Sequence, residues 1–161
     1  MSFSDTVVIY TDGASSGNPG PGGYGTVLKY KQHRKELSEG FRLTTNNRME
    51  LLAVIKGLEA LKGEGLNVLI YSDSKYVVDA VAKGWLWGWQ KKGFKGKKNP
   101  DLWQKFIPLY NRHKVKFQWV KGHAGIEENE RCDELAVESG KGHNLKADLG
   151  YERENGTKGL F

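Results

Sequence analysis

Cysteine is nearly absent from this sequence: Cys132 stands alone among 161 residues. One thiol can form neither an internal disulfide bond nor a multi-cysteine zinc site, so any bound metal must be held by oxygen or histidine ligands. Long apolar runs are absent too, since the longest, LLAVI at residues 51–55, is far too short to span a membrane. The N-terminus MSFSDTVV has neither the basic start nor the apolar stretch of a secretory signal. These absences predict a cytoplasmic protein with no membrane partner.

Acidic residues are missing between Asp79 and Asp101, and this gap explains the charge of the protein. The segment carries six lysines, which equal the whole net charge of +6: Lys83, Lys91, Lys92, Lys95, Lys97 and Lys98. Aromatic residues alternate with them: Trp85, Trp87, Trp89 and Phe94. A solvated lysine loop beside a tryptophan-rich helix is one interpretation. The alternation favours a surface that binds phosphates and stacks on sugars or bases of a nucleic acid.

Periodicity and turn residues predict one domain of mixed α/β (α+β) class. The predicted strands cover residues 6–11, 24–30, 34–43, 66–73 and 115–120, and the first three form an antiparallel meander. One helix is predicted to run from Asn47, as N-cap, to Gly63, and another from about Ser74 into the tryptophans. Two more are expected at NPD (residues 99–101) and at residues 127–140. We therefore expect a five-stranded mixed sheet flanked by helices in residues 1–142, followed by a polar, flexible or peripheral tail at 143–161.

A glycine-rich stretch, GPGGYGTV at residues 20–27, matches the loop of protein kinases and, in part, the dinucleotide-binding fingerprint. The dinucleotide motif must open a helix, whereas a strand follows here, and the kinase motif requires partner motifs that this chain lacks. We interpret these glycines as turn residues that bring the backbone close to another part of the molecule. They leave Asp12, at the end of the first strand, exposed.

Four carboxylates end elements of the predicted fold, namely Asp12, Glu50, Asp73 and Asp133. Each has a local alternative: a turn after Asp12, a capping box between Asn47 and Glu50, a helix cap at Asp73, a surface acid at Asp133. Two of them, however, follow strands that should be neighbours, and ligands gather outside such strand ends. Crowded carboxylates repel each other unless cations hold them, and Mg²⁺ or Mn²⁺ suits oxygen ligands. Beside a basic, aromatic surface, the cluster suggests two-metal phosphodiester hydrolysis.

Five segments carry a resemblance to a known family: YTDGASSGNPGPGGYG, TTNNRMEL, YSDSKYV, NPDLWQ and WVKGHAGIEENERCDELA. In this order they resemble the signatures of type 1 ribonuclease H, the bacterial ribonuclease HI family, over residues 5–142. The resemblance implies a ribonuclease H-like fold and cleavage of the RNA strand of RNA/DNA hybrids, largely independent of base sequence, to 5′-phosphate and 3′-hydroxyl ends. It implies two Mg²⁺ ions, replaceable by Mn²⁺, on Asp12, Glu50, Asp73 and Asp133. His123, in KGHAG, matches the catalytic histidine of the family, on a mobile loop.

The same resemblance implies residues that contact the hybrid. Asn18, Asn46 and Asn47 match contacts to the minor groove and backbone, and Thr45 matches a contact near a DNA phosphate. Trp85 and Trp89, four residues apart and so on one helix face, match the DNA-strand channel. Lys91, Lys92 and Lys95 lie in the basic protrusion of the family, here shorter than in its longest members and with Phe94 in place of a tryptophan. We expect Trp87 and Cys132 to be core residues.

Two functions from other classes stay open at this level. A module that only binds hybrids or double-stranded RNA would account for the lysines but not for four carboxylates. A kinase-like nucleotide transferase would require motifs that the chain lacks. We expect a monomer, although the sequence does not determine the oligomeric state, the preferred metal or the preferred cleavage site.

Overall fold

The computed structural model describes residues 5–122 and 125–156. Its five strands are β1 (Thr6–Ser15), β2 (Gly20–Tyr30), β3 (His33–Thr44), β4 (Asn67–Ser72) and β5 (Lys114–Trp119). Its helices are α1 (Asn46–Glu59), α2 (Lys75–Ala82), α3 (Trp85–Lys91), α4 (Pro100–Asn111), α5 (Glu127–Gly140) and the short α6 (Leu149–Tyr151). A π-helical turn, Glu152–Gly156, follows α6.

The five strands form one mixed sheet in the order β3-β2-β1-β4-β5, which confirms the predicted architecture. The β1–β2 and β2–β3 pairs are antiparallel, whereas β1–β4 and β4–β5 are parallel. The parallel pair β1–β4 brings two carboxyl ends to the same edge of the sheet. Asp12 and Asp73 each lie two residues beyond the Tyr10–Tyr71 pair in this register, so the sheet itself places them side by side.

Helix α1 packs its apolar residues into the main core, and its first turn differs from the prediction. Thr45, in an extended backbone conformation, is the N-cap, and its side-chain oxygen accepts a hydrogen bond from Arg48 N–H at 3.3 Å. The prediction of Asn47 as the cap is therefore wrong, because Asn47 already lies inside the helix. The helix also ends at Glu59, before Gly63. Without a capping role beside Asn47, Glu50 is free to point towards β1.

The helix predicted from Ser74 into the tryptophans is in fact two helices. Ser74 caps α2 by accepting a hydrogen bond from Val77 N–H at 3.2 Å, which leaves Asp73 outside the cap. Gly84 then adopts a left-handed conformation, with φ of 75°, and ends the continuous helix before α3 begins. Left-handed backbone is cheap only for glycine, so this residue sets the break. Asn99 is the N-cap residue of α4 as predicted, but its side chain makes no capping bond.

The glycines at residues 20–25 lie inside β2 instead of in a turn, which corrects the prediction. Their role in a close approach is nevertheless real, because helix α5 crosses directly over them. A Cβ atom on Gly25 would overlap the carbonyl oxygen of Cys132, and one on Gly23 would lie 2.6 Å from the carbonyl oxygen of Ala136. The bare backbone of β2 therefore lets α5, with Asp133, lie against the sheet.

Residues after α5 pack on the same domain as far as the structure describes them. Lys146 N–H donates to Gly40 O, and Arg42 N–H donates to Lys146 O, both at 2.9 Å. Asp148 is buried and accepts hydrogen bonds from Arg48 Nε and Thr44 Oγ1, each at 2.7 Å. The domain boundary at residue 142 stays a prediction, and these contacts do not favour it. Within residues 5–122 and 125–156, no helix has the length and apolar character needed to cross a membrane.

The approach of α5 to β2 can be tested with Gly25→Ala. We expect a loss of unfolding free energy of about 1–3 kcal/mol or more, because the new methyl group overlaps backbone that cannot move without shifting the helix. Urea unfolding measures the loss. The control is Gly88→Ala in α3, where the methyl group enters open space and the better helix propensity should stabilise by up to about 1 kcal/mol. Equal effects of the two substitutions would contradict this account of Gly25.

Candidate active site

Three carboxylates from three different elements meet at one edge of the sheet. Asp12 lies in β1, Glu50 in the second turn of α1, and Asp73 directly after β4. One oxygen of each lies within 4.8 Å of the corresponding oxygens of the other two. Such a spacing places three acceptors of like charge around a volume that suits a cation. The structure thus brings together three of the four carboxylates predicted from the sequence.

The backbone of Gly13 holds two of these carboxylates together. Its N–H donates to Asp12 Oδ1 at 2.9 Å and also to Glu50 Oε1. A Cβ atom at this position would overlap the backbone of Met49 and Glu50. Only glycine therefore allows β1 and α1 to approach closely enough for a shared hydrogen-bond donor. The sequence analysis considered only a turn after Asp12 and did not predict that Gly13 holds the site together, although a glycine directly after an aspartate of this kind is a signal for close backbone contact.

Burial raises the free energy of the ionised forms of Asp12 and Glu50. Desolvation raises the pKa of Asp12 to about 7; the charges of Asp73 and Asp133 add to the rise, while hydrogen bonds from Glu50 and Gly13 oppose it. Desolvation also raises the pKa of Glu50 well above its ordinary value, and the charge of Asp12 is the next cause. The buried carboxylates thus bind protons at neutral pH when nothing else neutralises them. A bound cation would neutralise the carboxylates in place of these protons, which would then be released.

Asp133 lines a cavity together with Asp12 and Asp73. The cavity is lined by Asp12, Asp73, Val120, Lys121, Gly122, Ile126, Asn129, Glu130 and Asp133. Asp133 is outside the tight group of three, yet its charge contributes to the raised pKa of Asp12. Asp133 belongs to helix α5, and two partly exposed ion pairs, Arg34–Glu128 and Arg131–Glu36, join the first turns of that helix to β3. The site therefore has three close carboxylates, and Asp133 and Glu130 also line the cavity beside them.

Several residues at the cavity were not found from the sequence. The Trp119 indole N–H donates to the backbone oxygen of Asp73 at 3.1 Å, which fixes the chain where β4 ends. Asn129 and Glu130 precede Asp133 by four and three residues, so helical spacing places them on its face. That spacing was the available signal. His123, the predicted catalytic histidine, lies outside the described residues, and its role stays a prediction.

The predicted substrate-binding amides gather around the start of α1. Asn18 Oδ1 accepts a hydrogen bond from Asn46 N–H at 3.1 Å, and Asn46 Oδ1 accepts one from Ser15 N–H at 3.0 Å. The oxygens are thus used inside the protein, which orients the amide groups. Asn18, Thr45 and Asn47 line a second, polar cavity together with Arg48, Lys97, Lys98, Asn99, Tyr151, Glu154 and Asn155. The described part of the tail contributes to this wall.

The basic segment divides into an exposed part and a buried part. Lys91, Lys92 and Lys95 are exposed, and Trp85 is 49% exposed with the Lys83 ammonium 5.1 Å from its ring centre. Together these side chains form an outward surface, as predicted from the charge pattern.

The other aromatic residues of the segment face inward. Trp89 is only partly exposed, because it packs edge-on against Trp103 at 6.0 Å. Trp87 packs against Tyr110 at 5.6 Å, on the core side as expected. Phe94 is 6% exposed, so its prediction as a surface aromatic is wrong. The Trp103 side chain buries one face of the segment, and this tertiary contact turns an alternating sequence into a half-buried element.

The amino-acid sequence of this chain is similar to those of known proteins. A family model described as RNase H matches residues 4–141. The ribonuclease H of Desulforamulus reducens is 60% identical over 148 residues, which cover 89% of this chain and 92% of that protein. The ribonuclease H of Syntrophus aciditrophicus is 58% identical over 150 residues, covering 90% and 86% of the two chains.

Solved structures agree with the sequence relatives. LC9-RNase H1, described as a type 1 RNase H with the type 2 active-site motif, has a TM-score of 0.78 at 34% identity, covering 93% of this chain and 80% of that one. LC11-RNase H1, solved in complex with an RNA/DNA hybrid, has a TM-score of 0.61 at 28% identity, covering 84% and 96%. The family match spans the sheet and all four carboxylates.

The buried charge of Asp12 predicts a pH-dependent effect of Asp12→Asn. Because the folded pKa is raised, ionised Asp12 costs stability above pH 7, and this cost disappears as the pH falls towards its ordinary value of 3.8. In EDTA, Asp12→Asn should therefore stabilise the protein at pH 8, by about 2 kcal/mol or more, since one pKa unit is worth about 1.4 kcal/mol. At pH 4.5 the gain should fall to about a quarter of its size at pH 8, and it should vanish only below the ordinary pKa of 3.8.

Calorimetric melting at the two pH values measures this difference. Glu64→Gln removes the same charge at an exposed position and serves as the control, with no comparable gain at pH 8. A gain for Asp12→Asn that does not change with pH would show that the carboxylate is not buried at a cost.

Proposed function

This chain belongs to the ribonuclease H family and is a nuclease, and we propose that it hydrolyses the RNA strand of RNA/DNA hybrids in a metal-dependent endonucleolytic reaction. We expect 5′-phosphate and 3′-hydroxyl products and little dependence on base sequence. The observation that carries the proposal is the group of Asp12, Glu50 and Asp73, which lie within 4.8 Å of each other, with desolvation raising the pKa of Asp12 and of Glu50. A protein that only binds nucleic acid does not need three carboxylates held so close together.

The residues present fit divalent metal ions. Mg²⁺ prefers carboxylate oxygens, and desolvation raises the pKa values of Asp12 and Glu50, so a bound cation would favour their ionised forms. Asp12, Glu50 and Asp73 would hold one ion, and Asp12 and Asp133 would hold a second, with Mn²⁺ as a substitute. When bound, a two-metal pair supplies a water of lowered pKa and stabilises the departing oxygen of an in-line displacement.

Other residues of the chain position these groups. Gly13 N–H orients Asp12 and Glu50, and the Trp119 indole holds the backbone of Asp73. Lys121, at the rim of the cavity, offers a cation near the scissile phosphate. We propose that His123 accepts or relays a proton and assists product release, since an imidazole of ordinary pKa titrates near neutral pH.

Hybrid recognition is proposed for two regions beside the cavity. Asn18, Asn46, Asn47 and Thr45 would contact the minor groove and backbone, where the 2′-hydroxyl distinguishes RNA from DNA. The second region would contact the DNA strand through Trp85, Trp89, Lys91, Lys92 and Lys95. Of these, Trp89 is the least accessible, because Trp103 covers its edge. A monomeric state and a cytoplasmic location stay predictions.

Cleavage of an end-labelled RNA strand annealed to DNA tests the proposal. We expect cutting in Mg²⁺, none in excess EDTA, and none of free RNA or duplex RNA. Asp12→Asn should lower the rate on the order of 10³-fold or more, because metal binding is what shifts the pKa of water from about 15.7 to about 7. Glu64→Gln should retain the wild-type rate. Tight binding of the hybrid without cutting in Mg²⁺ or Mn²⁺ would favour a binding module instead.

The lysine surface makes a separate prediction about salt. A variant with Lys91, Lys92 and Lys95 all changed to alanine should bind the hybrid more weakly at low salt. The slope of log K against log salt should become shallower by about 0.9 for each phosphate that the variant no longer neutralises. Fluorescence anisotropy in Ca²⁺ or EDTA measures the slope. The matched control changes Lys35, Lys62 and Lys114, which are exposed outside this segment, and should leave the slope unchanged.

A further inference from the structure

Asn129 has a side-chain oxygen that is closed off from solvent and has no hydrogen-bond donor. Across residues 5–122 and 125–156, Asn129 Oδ1 is the one buried side-chain nitrogen or oxygen atom in this condition. Leaving a buried acceptor unpaired costs about 1–3 kcal/mol. Every such group in a folded protein needs a reason, and an ion or water at a functional site is a common one.

The position of Asn129 connects this oxygen with the carboxylate site. Asn129 lies in the first turn of α5, four residues before Asp133, so both side chains leave the same face of the helix. Both line the cavity that Asp12 and Asp73 also line. The helix is held there by the close packing of its backbone on Gly23 and Gly25, which leaves little freedom to turn Asn129 away.

The groups that line the cavity determine which hydrogen-bond donors are available to Asn129 Oδ1. Among the residues that the structure describes, the side chains that line it besides Asn129 and Lys121 are carboxylates, which present acceptor oxygens, and the apolar groups of Val120 and Ile126. Lys121 is exposed and does not bond to the oxygen. Water bound to a divalent cation can satisfy it, because Mg²⁺ keeps several of its waters when it binds to only a few carboxylates. The O–H groups of those waters are strong donors, since the cation withdraws their electron density.

We propose that Asn129 is a positioning residue of the metal site, whose Oδ1 accepts a hydrogen bond from a water ligand of a divalent cation held by the carboxylates. This inference rests on the proposed metal dependence and adds a residue outside the direct ligand set. Hydrogen-bond partners of metal ligands affect metal affinity by about 10- to 100-fold when they are removed. Asn129 thereby acts on the affinity and orientation of the ion, without touching the reacting phosphate.

Calorimetric titration with Mg²⁺ and with Mn²⁺ tests the inference on the metal itself, independently of catalysis. Asn129→Leu, which removes the acceptor at similar volume, should weaken Mg²⁺ binding by about 10-fold. Asn129→Asp, which keeps an oxygen at that place, should bind at least as tightly as the wild type. Asn111→Leu, an exposed asparagine at the end of α4, is the control and should leave Mg²⁺ binding unchanged.

Melting of the same variants in EDTA separates this role from a structural one. Because Asn129 Oδ1 lacks a partner without metal, Asn129→Leu should not lower the melting temperature in EDTA, and only the Mg²⁺-induced rise should shrink. A lower melting temperature in EDTA with wild-type Mg²⁺ affinity would overturn the inference. If the wild-type protein itself bound neither ion, the metal dependence under the proposed function would fall, and the role of Asn129 with it.

Discussion

The site depends on one close contact, that between the backbone of β1 at Gly13 and the start of α1. Because Gly13 has no Cβ, its N–H reaches both Asp12 and Glu50, and the two carboxylates lie together in a desolvated position. The parallel pairing of β1 with β4 adds Asp73 from the side. Chain packing thus places three carboxylates together, and desolvation, reinforced by the charges of neighbouring carboxylates, raises the pKa values of Asp12 and Glu50. The fold thus holds three carboxylates close together, and a bound cation would reduce the repulsion between them.

A second close contact, between α5 and β2, positions the residues that α5 contributes to the site. Helix α5 can lie on β2 only because Gly23 and Gly25 leave space for its backbone, and it brings Asp133 and Asn129 to the cavity. The partly exposed ion pairs Arg34–Glu128 and Arg131–Glu36 also restrain the end of the helix nearest the site. Both sides of the site therefore depend on glycines of the central sheet: Gly13 lets α1 approach β1, and Gly23 and Gly25 let α5 approach β2. This packing sets the separation of the residues around the cavity.

Charge on this protein is arranged on two scales. At the centre, acidic groups converge in a cavity, and outside it the lysines of residues 83–98 and Trp85 present a cationic, partly aromatic surface. Between these regions, Arg48 is 3% exposed and pairs with both Asp101 and Asp148, joining the start of α1, the start of α4 and the segment after α5. Removing one partner of such a buried network leaves an uncompensated charge, which costs about 3–5 kcal/mol. Arg48 also lines the cavity that Asn18, Thr45 and Asn47 line, so this network anchors the start of α1 next to those residues.

The sequence by itself determined the elements and the chemistry: β-branched strands, a helical period at residues 51–61, and carboxylates of which the structure assembles Asp12, Glu50 and Asp73 on a mixed sheet. The predicted place of Asp12 at the end of the first strand was wrong, because β1 extends to Ser15. These features depend on local pattern, and local pattern is readable residue by residue. Tertiary structure decided the rest. Thr45 in place of Asn47 as the cap, the break at Gly84, strand glycines in place of turn glycines, and the burial of Phe94 all depend on which backbone lies opposite. The orphaned oxygen of Asn129 appears only when α5 is packed over the sheet, because a missing hydrogen-bond partner is a property of the surroundings and not of the residue.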